Sequence, residues 1–218
     1  SARSFRPLWT LTELGLEHGK DYQLAMLPFP PRVHAREFLA VNPLGTIPAL
    51  VDGDTVMTES AAMCQYLTQR YGPTPLAVEP HESAYGAWLN GLHFGESTLT
   101  FPQTLVLRYT HFEPAERRLL QVSDDYSKWF LSRLKGVERV VTEQDWWCAQ
   151  RFTAADISVG YALMLADFLG LLPAAGPATL AYWHRLRTRS AFVQACRVET
   201  DAALAQGIST VPAPLTRP

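Results

Sequence analysis

No run of this sequence is long and apolar enough to span a bilayer, no two cysteines are closely spaced, and neither sign of charge prevails. The longest apolar stretch, residues 157–172, is broken by Asp167 and by small or polar residues, short of the roughly 20 apolar residues a membrane helix needs. The three cysteines, Cys64, Cys148 and Cys196, are odd in number and form no C-x-x-C pair, which excludes a disulfide framework and fits a reducing compartment. The six histidines, at 18, 34, 81, 93, 111 and 184, fall in no ligand spacing, so no metal is expected. Nineteen Lys and Arg against 21 Asp and Glu leave a net charge of −2, too balanced for the cationic face that nucleic acid or an anionic membrane requires. The chain begins with no charged segment followed by an apolar run and a cleavage site. A soluble, cytoplasmic protein is expected, with neither nucleic acid nor membrane as partner.

What is present is apolar. The 218 residues are 47% hydrophobic and only 18% charged, against about a quarter charged in ordinary globular domains, so apolar residues must be buried or cover an interface. Phe5, Leu8, Trp9, Leu11, Leu14 and Leu16 recur at helical steps, ended by Gly15 and Gly19. Residues 22–27 alternate weakly and run into Pro28, Pro30 and Pro31, which predicts a short strand and then a non-helical loop. A short helix is predicted over 36–41. Two β-prone runs, 47–51 and 55–58, flank Asp52-Gly53-Asp54, a hairpin signal. Met63, Tyr66, Leu67 and Tyr71 predict a helix over 60–71. The string G-P-T-P-L-A-V-E-P at 72–80 marks a domain boundary. After it, helices are predicted over 81–108 with an interruption at Pro102, and over 114–142, 153–172, 178–188 and 190–206. The expected organisation is a mixed α/β domain over 1–72, a linker over 73–80 and an all-helical domain over 81–218.

The run Asn42-Pro43-Leu44-Gly45-Thr46-Ile47-Pro48-Ala49-Leu50, followed by Thr58-Glu59-Ser60, resembles the glutathione transferase superfamily. There a thioredoxin-like N-terminal half carries N-P-x-G-x-[VI]-P-x-L with its second proline cis, then a hairpin, then an E-S pair opening a helix. The resemblance implies that the backbone of Ile47, before a cis Pro48, pairs with the cysteinyl backbone of glutathione. It implies too that Ser60 and the free N–H groups at the helix start take the γ-glutamyl carboxylate, while Glu59 takes its ammonium. An isolated Thr58 or Ser60 at a helix start is more often a simple cap, and only the proline run tips the balance. A second match, Phe152-Thr153-Ala154-Ala155-Asp156-Ile157, combines a capping box on Thr153 and Asp156 with a hydrophobic staple. Its role is folding.

The chain departs from the family in two places. It opens at Ser1, where the family's first strand has already ended, so one strand of roughly 5–8 residues is expected upstream. Thr46 stands where the family often has Lys, leaving His34 or Arg32 to meet the glycine carboxylate of glutathione.

A glutathione transferase lowers a thiol pKa of about 8.5. A shift of ~2 units requires about 2.7 kcal/mol, which a hydroxyl at a helix N-terminus can supply. Among the residues before the first helix only Ser1 and Ser4 carry hydroxyls. Ser1 lies five residues before Arg6, a spacing like that of the serine-type, zeta-like class, and ranks first; Ser4 reads equally as a helix cap. The family's electrophile pocket lies between the domains, and the region offers Trp9, His93, Phe94, Glu96, Phe101 and Tyr109. The resemblance thus implies a homodimer with glutathione as co-substrate and a small hydrophobic electrophile as substrate. A non-catalytic binding module of the same fold, or a glutathione-dependent isomerase or dehalogenase, are the alternatives.

Overall fold

The first helix, α1 (Phe5–Glu13), is buried from Phe5 to Thr12. In the computed structural model, which describes residues 2–211, it lies in one of two units: residues 2–72 with 189–211 form the first, and residues 73–188 the second. Pro7 falls at the third helical position, where a missing N–H forfeits no intrahelical bond. Phe192 shows why the last helix joins the first unit instead of the helical domain expected over 81–218. Its ring meets Phe5 at 5.2 Å and Trp9 at 4.9 Å, both edge-on. Beside them Arg189 grips Glu13 with two bonds of 2.7 and 2.8 Å.

Residues 22–27 do not make the predicted strand. Among the described residues this stretch makes a single bridge, His18 to Tyr22. The extended backbone beyond it is met by one side chain: the Gln206 amide donates to the Leu24 carbonyl and accepts from the Met26 N–H, both at 2.8 Å. A strand needs a neighbour's ladder, and among the described residues this amide stands in for it. The proline loop also differs from expectation, because Pro31 opens a one-turn helix, α2 (Pro31–His34). Proline is at home in that first position. A 3₁₀ turn follows (Arg36–Ala40). The predicted hairpin forms as β1 (Leu50–Asp52) and β2 (Thr55–Met57), antiparallel with Val51 opposite Val56. Gly53 turns it at φ +58. The helix α3 (Ser60–Arg70) then packs on α1.

In the second unit, α4 (Tyr85–His93), a π-helical stretch (Phe94–Thr100), α5 (Phe101–Leu107) and another π turn (Arg108–Phe112) run on without a break. The interruption predicted at Pro102 is absent because the wider π turn before it accommodates the proline ring. Thr100 and Gln103 hydrogen-bond the carbonyls of Gly95 and Leu99 in that turn. A Cβ at Gly95 would lie 2.5 Å from Ser158, so glycine lets this helix meet α7 (Ala154–Phe168) at close range. The remaining helices are α6 (Leu120–Glu143), α8 (Pro177–Arg187) and, in the first unit, α9 (Ser190–Ala205). The stretch 73–80 is more than a tether. Leu76, Ala77 and Val78 are buried, and Arg151 bonds the carbonyls of Pro75 and Ala77. No helix among the described residues is long and apolar enough to cross a membrane.

Helix α7 begins at the predicted capping box. The Asp156 carboxylate, fully buried, accepts from the Thr153 N–H (2.8 Å) and hydroxyl (3.0 Å), the Trp147 N–H (2.7 Å) and the Tyr182 hydroxyl (2.7 Å). Burial pushes its pKa up to about 6 against the pull of those four donors. The folded pKa therefore exceeds the unfolded value of about 3.9, so this group's contribution to stability is full below about pH 4 and lost as pH rises through 6. Asp156→Asn is expected to destabilise more at pH 4 than at pH 7, by on the order of 2 kcal/mol. Urea unfolding of both proteins at the two pH values checks it, and an equal penalty at both would contradict this account of the carboxylate.

Candidate functional site

The loop before the second proline of the 42–50 run is built by one side chain. Asn42, 1% exposed, donates through Nδ2 to the Thr46 carbonyl (2.7 Å) and hydroxyl (3.2 Å), while its Oδ1 accepts from the Leu44 N–H (3.1 Å). Gly45 follows at φ +62, and a Cβ there would come within 2.6 Å of the Arg32 Cβ. No residue but glycine satisfies both conditions. The loop delivers the chain into Ile47–Pro48, which is cis, as is Phe29–Pro30. Pro48 is buried and Ile47 half-buried. Among the described residues the backbone N–H and C=O of Ile47 have no hydrogen-bond partner, which leaves an edge that an extended peptide can pair with.

The hairpin leads from this loop to α3. Tyr66 on α3 and Tyr71 just past its end both donate to Asp52 Oδ2 at the end of β1, at 2.9 and 2.8 Å. The Tyr71 bond and then the Tyr66 bond hold the Asp52 carboxyl below its ordinary range. Glu59 occupies the N-cap position of α3 with extended torsions (φ −95, ψ 110), and no side chain caps this helix. The simple capping role weighed for Thr58 and Ser60 is therefore not what these residues do. Glu59 is exposed, and Ser60, the first helical residue, is 3% exposed. The helix start thus presents uncapped N–H groups, a hydroxyl and a carboxylate side by side. That arrangement suits a group carrying both an anion and an ammonium.

Behind it lies a residue whose role sequence reasoning missed. Arg6 on α1 is 0% exposed and donates through Nη1 to Ser60 Oγ at 3.1 Å. One turn on, Thr10 faces Cys64 in the same way, so two polar residues on each helix, four apart, form a seam between α1 and α3. Burial pushes the Cys64 thiol up to about 11, against its hydrogen bond with Thr10 and the nearby Arg6 charge. It stays protonated at neutral pH and is no nucleophile. The available signal was an arginine amid the apolar Phe5, Leu8 and Trp9 of this helix.

The other sequence candidates are scattered. Ser1 lies outside the described residues. Ser4 takes the N-cap position of α1 with helical torsions (φ −59, ψ −19), and its hydroxyl makes no capping bond. His34 is exposed on α2. Trp9 is no pocket wall: it is 0% exposed, its indole N–H donates to Glu13 Oε1 at 3.0 Å, and its ring lies against Phe5 and Phe192. Along the continuous helical run 85–112, His93 and Phe101 are exposed, while Glu96 and Tyr109 are half-buried. Phe94 stacks on Trp147 with ring centres 5.3 Å apart. Two open concavities of about 290 and 350 Å³ in the second unit are lined by none of these residues.

Comparison with known proteins agrees with the resemblance. Residues 1–75 match the family described as glutathione S-transferase, N-terminal domain. Glutathione S-transferase 3 of Zea mays is 29% identical over 189 residues, spanning 81% of this chain and 82% of the relative. Glutathione S-transferase GstA of Escherichia coli O157:H7 is 31% identical over 150 residues, spanning 64% of this chain and 68% of the relative. Among solved structures, Ure2p5 from Phanerochaete chrysosporium, cocrystallised with 1-(S-glutathionyl)-2,4-dinitrobenzene, is similar with a TM-score of 0.79. It is 24% identical and covers 94% of this chain, which covers 93% of that one.

Proposed function

The chain belongs to the glutathione transferase superfamily, and from that premise we propose that it binds glutathione at Ile47, Pro48, Glu59 and Ser60 and directs its thiolate at a small apolar electrophile. The observation that carries this reading is the uncapped start of α3 with Ser60 and Glu59 upon it. The γ-glutamyl carboxylate accepts from the Ser60 hydroxyl and the first-turn N–H groups, and Glu59 holds the ammonium. The cysteinyl backbone pairs with Ile47 as an added strand. His34 or Arg32, near the Gly45 loop, faces the glycine carboxylate.

At the sulfur, the start of α1 favours the anion, and Ser1 donates to it ahead of Ser4. The thiolate forms the new C–S bond; the leaving group departs with its electron pair, or the resulting carbanion takes a proton from water. An electrophile of the chloronitrobenzene type is the class proposed, in keeping with the conjugate bound to the Phanerochaete protein. His93, Glu96 and Phe101 are proposed as the region that receives it.

Calorimetric titration with glutathione tests the binding site. Ser60→Ala is expected to weaken binding about tenfold, as for a lost bond to a charged group; an unchanged dissociation constant would remove Ser60 from the site. No binding by the parent protein at millimolar glutathione would leave the non-catalytic binding module in its place. Ser1→Ala is expected to raise the pKa of bound glutathione, read from thiolate absorbance, by about one unit or more, and Ser4→Ala to leave it in place. A shift in Ser4→Ala alone would reverse their order.

A homodimer is also proposed. Val51 and Val56, paired across the hairpin, are 57% and 51% exposed, apolar surface that a second copy can cover. Sedimentation at micromolar concentration is expected to give twice the chain mass of 24.3 kDa. A species of single-chain mass would contradict it.

A further inference from the structure

We propose that Arg6 is a positioning residue for the amino-acid head of glutathione, acting through the Ser60 hydroxyl. The inference rests on the reading that the γ-glutamyl carboxylate binds at Ser60, and it adds a reason why Ser60 serves there. A hydroxyl has one proton to donate and two lone pairs to accept with. Arg6 Nη1, 3.1 Å away, fills a lone pair of Ser60 Oγ, so the proton is directed elsewhere. Among the described residues it meets no acceptor. An incoming carboxylate at the start of α3 supplies one.

The cation matters as well as the bond. Arg6 is 0% exposed and Ser60 3%, so their contact is made out of water, where a charged donor polarises the hydroxyl it bonds and strengthens the bond that hydroxyl donates in turn. The carboxylate is then held by a chain that runs from guanidinium to hydroxyl to ligand, alongside the N–H groups of the first turn. The guanidinium reaches the ligand site from α1 without touching the ligand. Backbone and side chain fix it there: Thr10 on the next turn of α1 bonds the Arg6 carbonyl at 2.9 Å, and Phe5, Leu8 and Trp9 around it are buried.

The alternative is that Arg6 merely fills the interior between α1 and α3. The two roles separate in a double-mutant cycle on the full chain, with Arg6→Met and Ser60→Ala singly and together. Each is titrated with glutathione and with its analogue lacking the α-carboxylate, 4-aminobutyryl-cysteinylglycine. Arg6→Met is expected to weaken glutathione binding about tenfold in the parent and less than about twofold once Ser60 is alanine. Binding of the decarboxylated analogue is expected to change less than about twofold in either background. Equal weakening for both ligands, or additive effects of the two substitutions, would overturn the positioning role and leave a structural one. If Arg6→Met does not fold, Arg6→Lys carries the same cycle: it keeps the cation and one donor, and is expected to bind glutathione better than Ser60→Ala does. Lysine at 6 binding glutathione no better than that variant would equally overturn the proposal. An unchanged dissociation constant in Ser60→Ala itself would instead defeat the underlying site, whatever Arg6 does.

Discussion

A guanidinium taken wholly out of water must find hydrogen-bond partners in the fold, and the contact between Arg6 and Ser60 ties two buried helices together on that account. It fixes the face that α1 turns to α3, and so sets Thr10 opposite Cys64 one turn along. It brings the first residue of α3 to a defined depth, covered behind and open at the helix start. The hairpin is tied to the same helix, since Tyr66 on α3 and Tyr71 just past its end hold Asp52. The Asn42 loop, Ile47 and the start of α3 are thereby held in one frame by side-chain bonds, although the regular sheet among the described residues has only two strands. The last helix completes the packing of α1, with Phe192 against Phe5 and Trp9.

The second unit uses the same device for a different end. Asp156 is as deeply buried as Arg6, and four donors converge on it from the loop before α7, its own cap and α8. Every one of those bonds lies within the second unit. One buried charge is closed on itself and organises a core helix. The other ends in a hydroxyl with a proton to give. That contrast separates a folding motif from the proposed binding one.

Motifs with local physics were legible in the sequence. The capping box at Thr153 and Asp156, the Gly53 hairpin and the start of α3 depend on neighbours within a few residues, and each formed where the pattern put it. What depended on distant partners was not legible. The strand predicted over 22–27 has no neighbouring ladder among the described residues and is met instead by Gln206, and the last helix packs on α1 through Phe192. The interruption predicted at Pro102 does not occur because a π-helical stretch precedes it, and no local pattern in the sequence signals such a stretch. Within the site, Glu59, Ser60, Ile47 and Pro48 came from the family pattern. Arg6 was visible only as a spacing marker: its apolar neighbours hint that it is buried, but nothing local announces a serine partner 54 residues away.

The proposed site holds glutathione between the free backbone edge of Ile47 and the uncapped start of α3. Amide hydrogen exchange, followed by NMR with and without saturating glutathione, reads that claim at single residues. The N–H groups of Ile47, Ser60 and Ala61 are expected to gain protection together when glutathione binds, because each acquires an acceptor it lacks in the free protein. Glutathione binding that leaves these three amides exchanging at their free rates, with protection gained elsewhere in the chain, would contradict it.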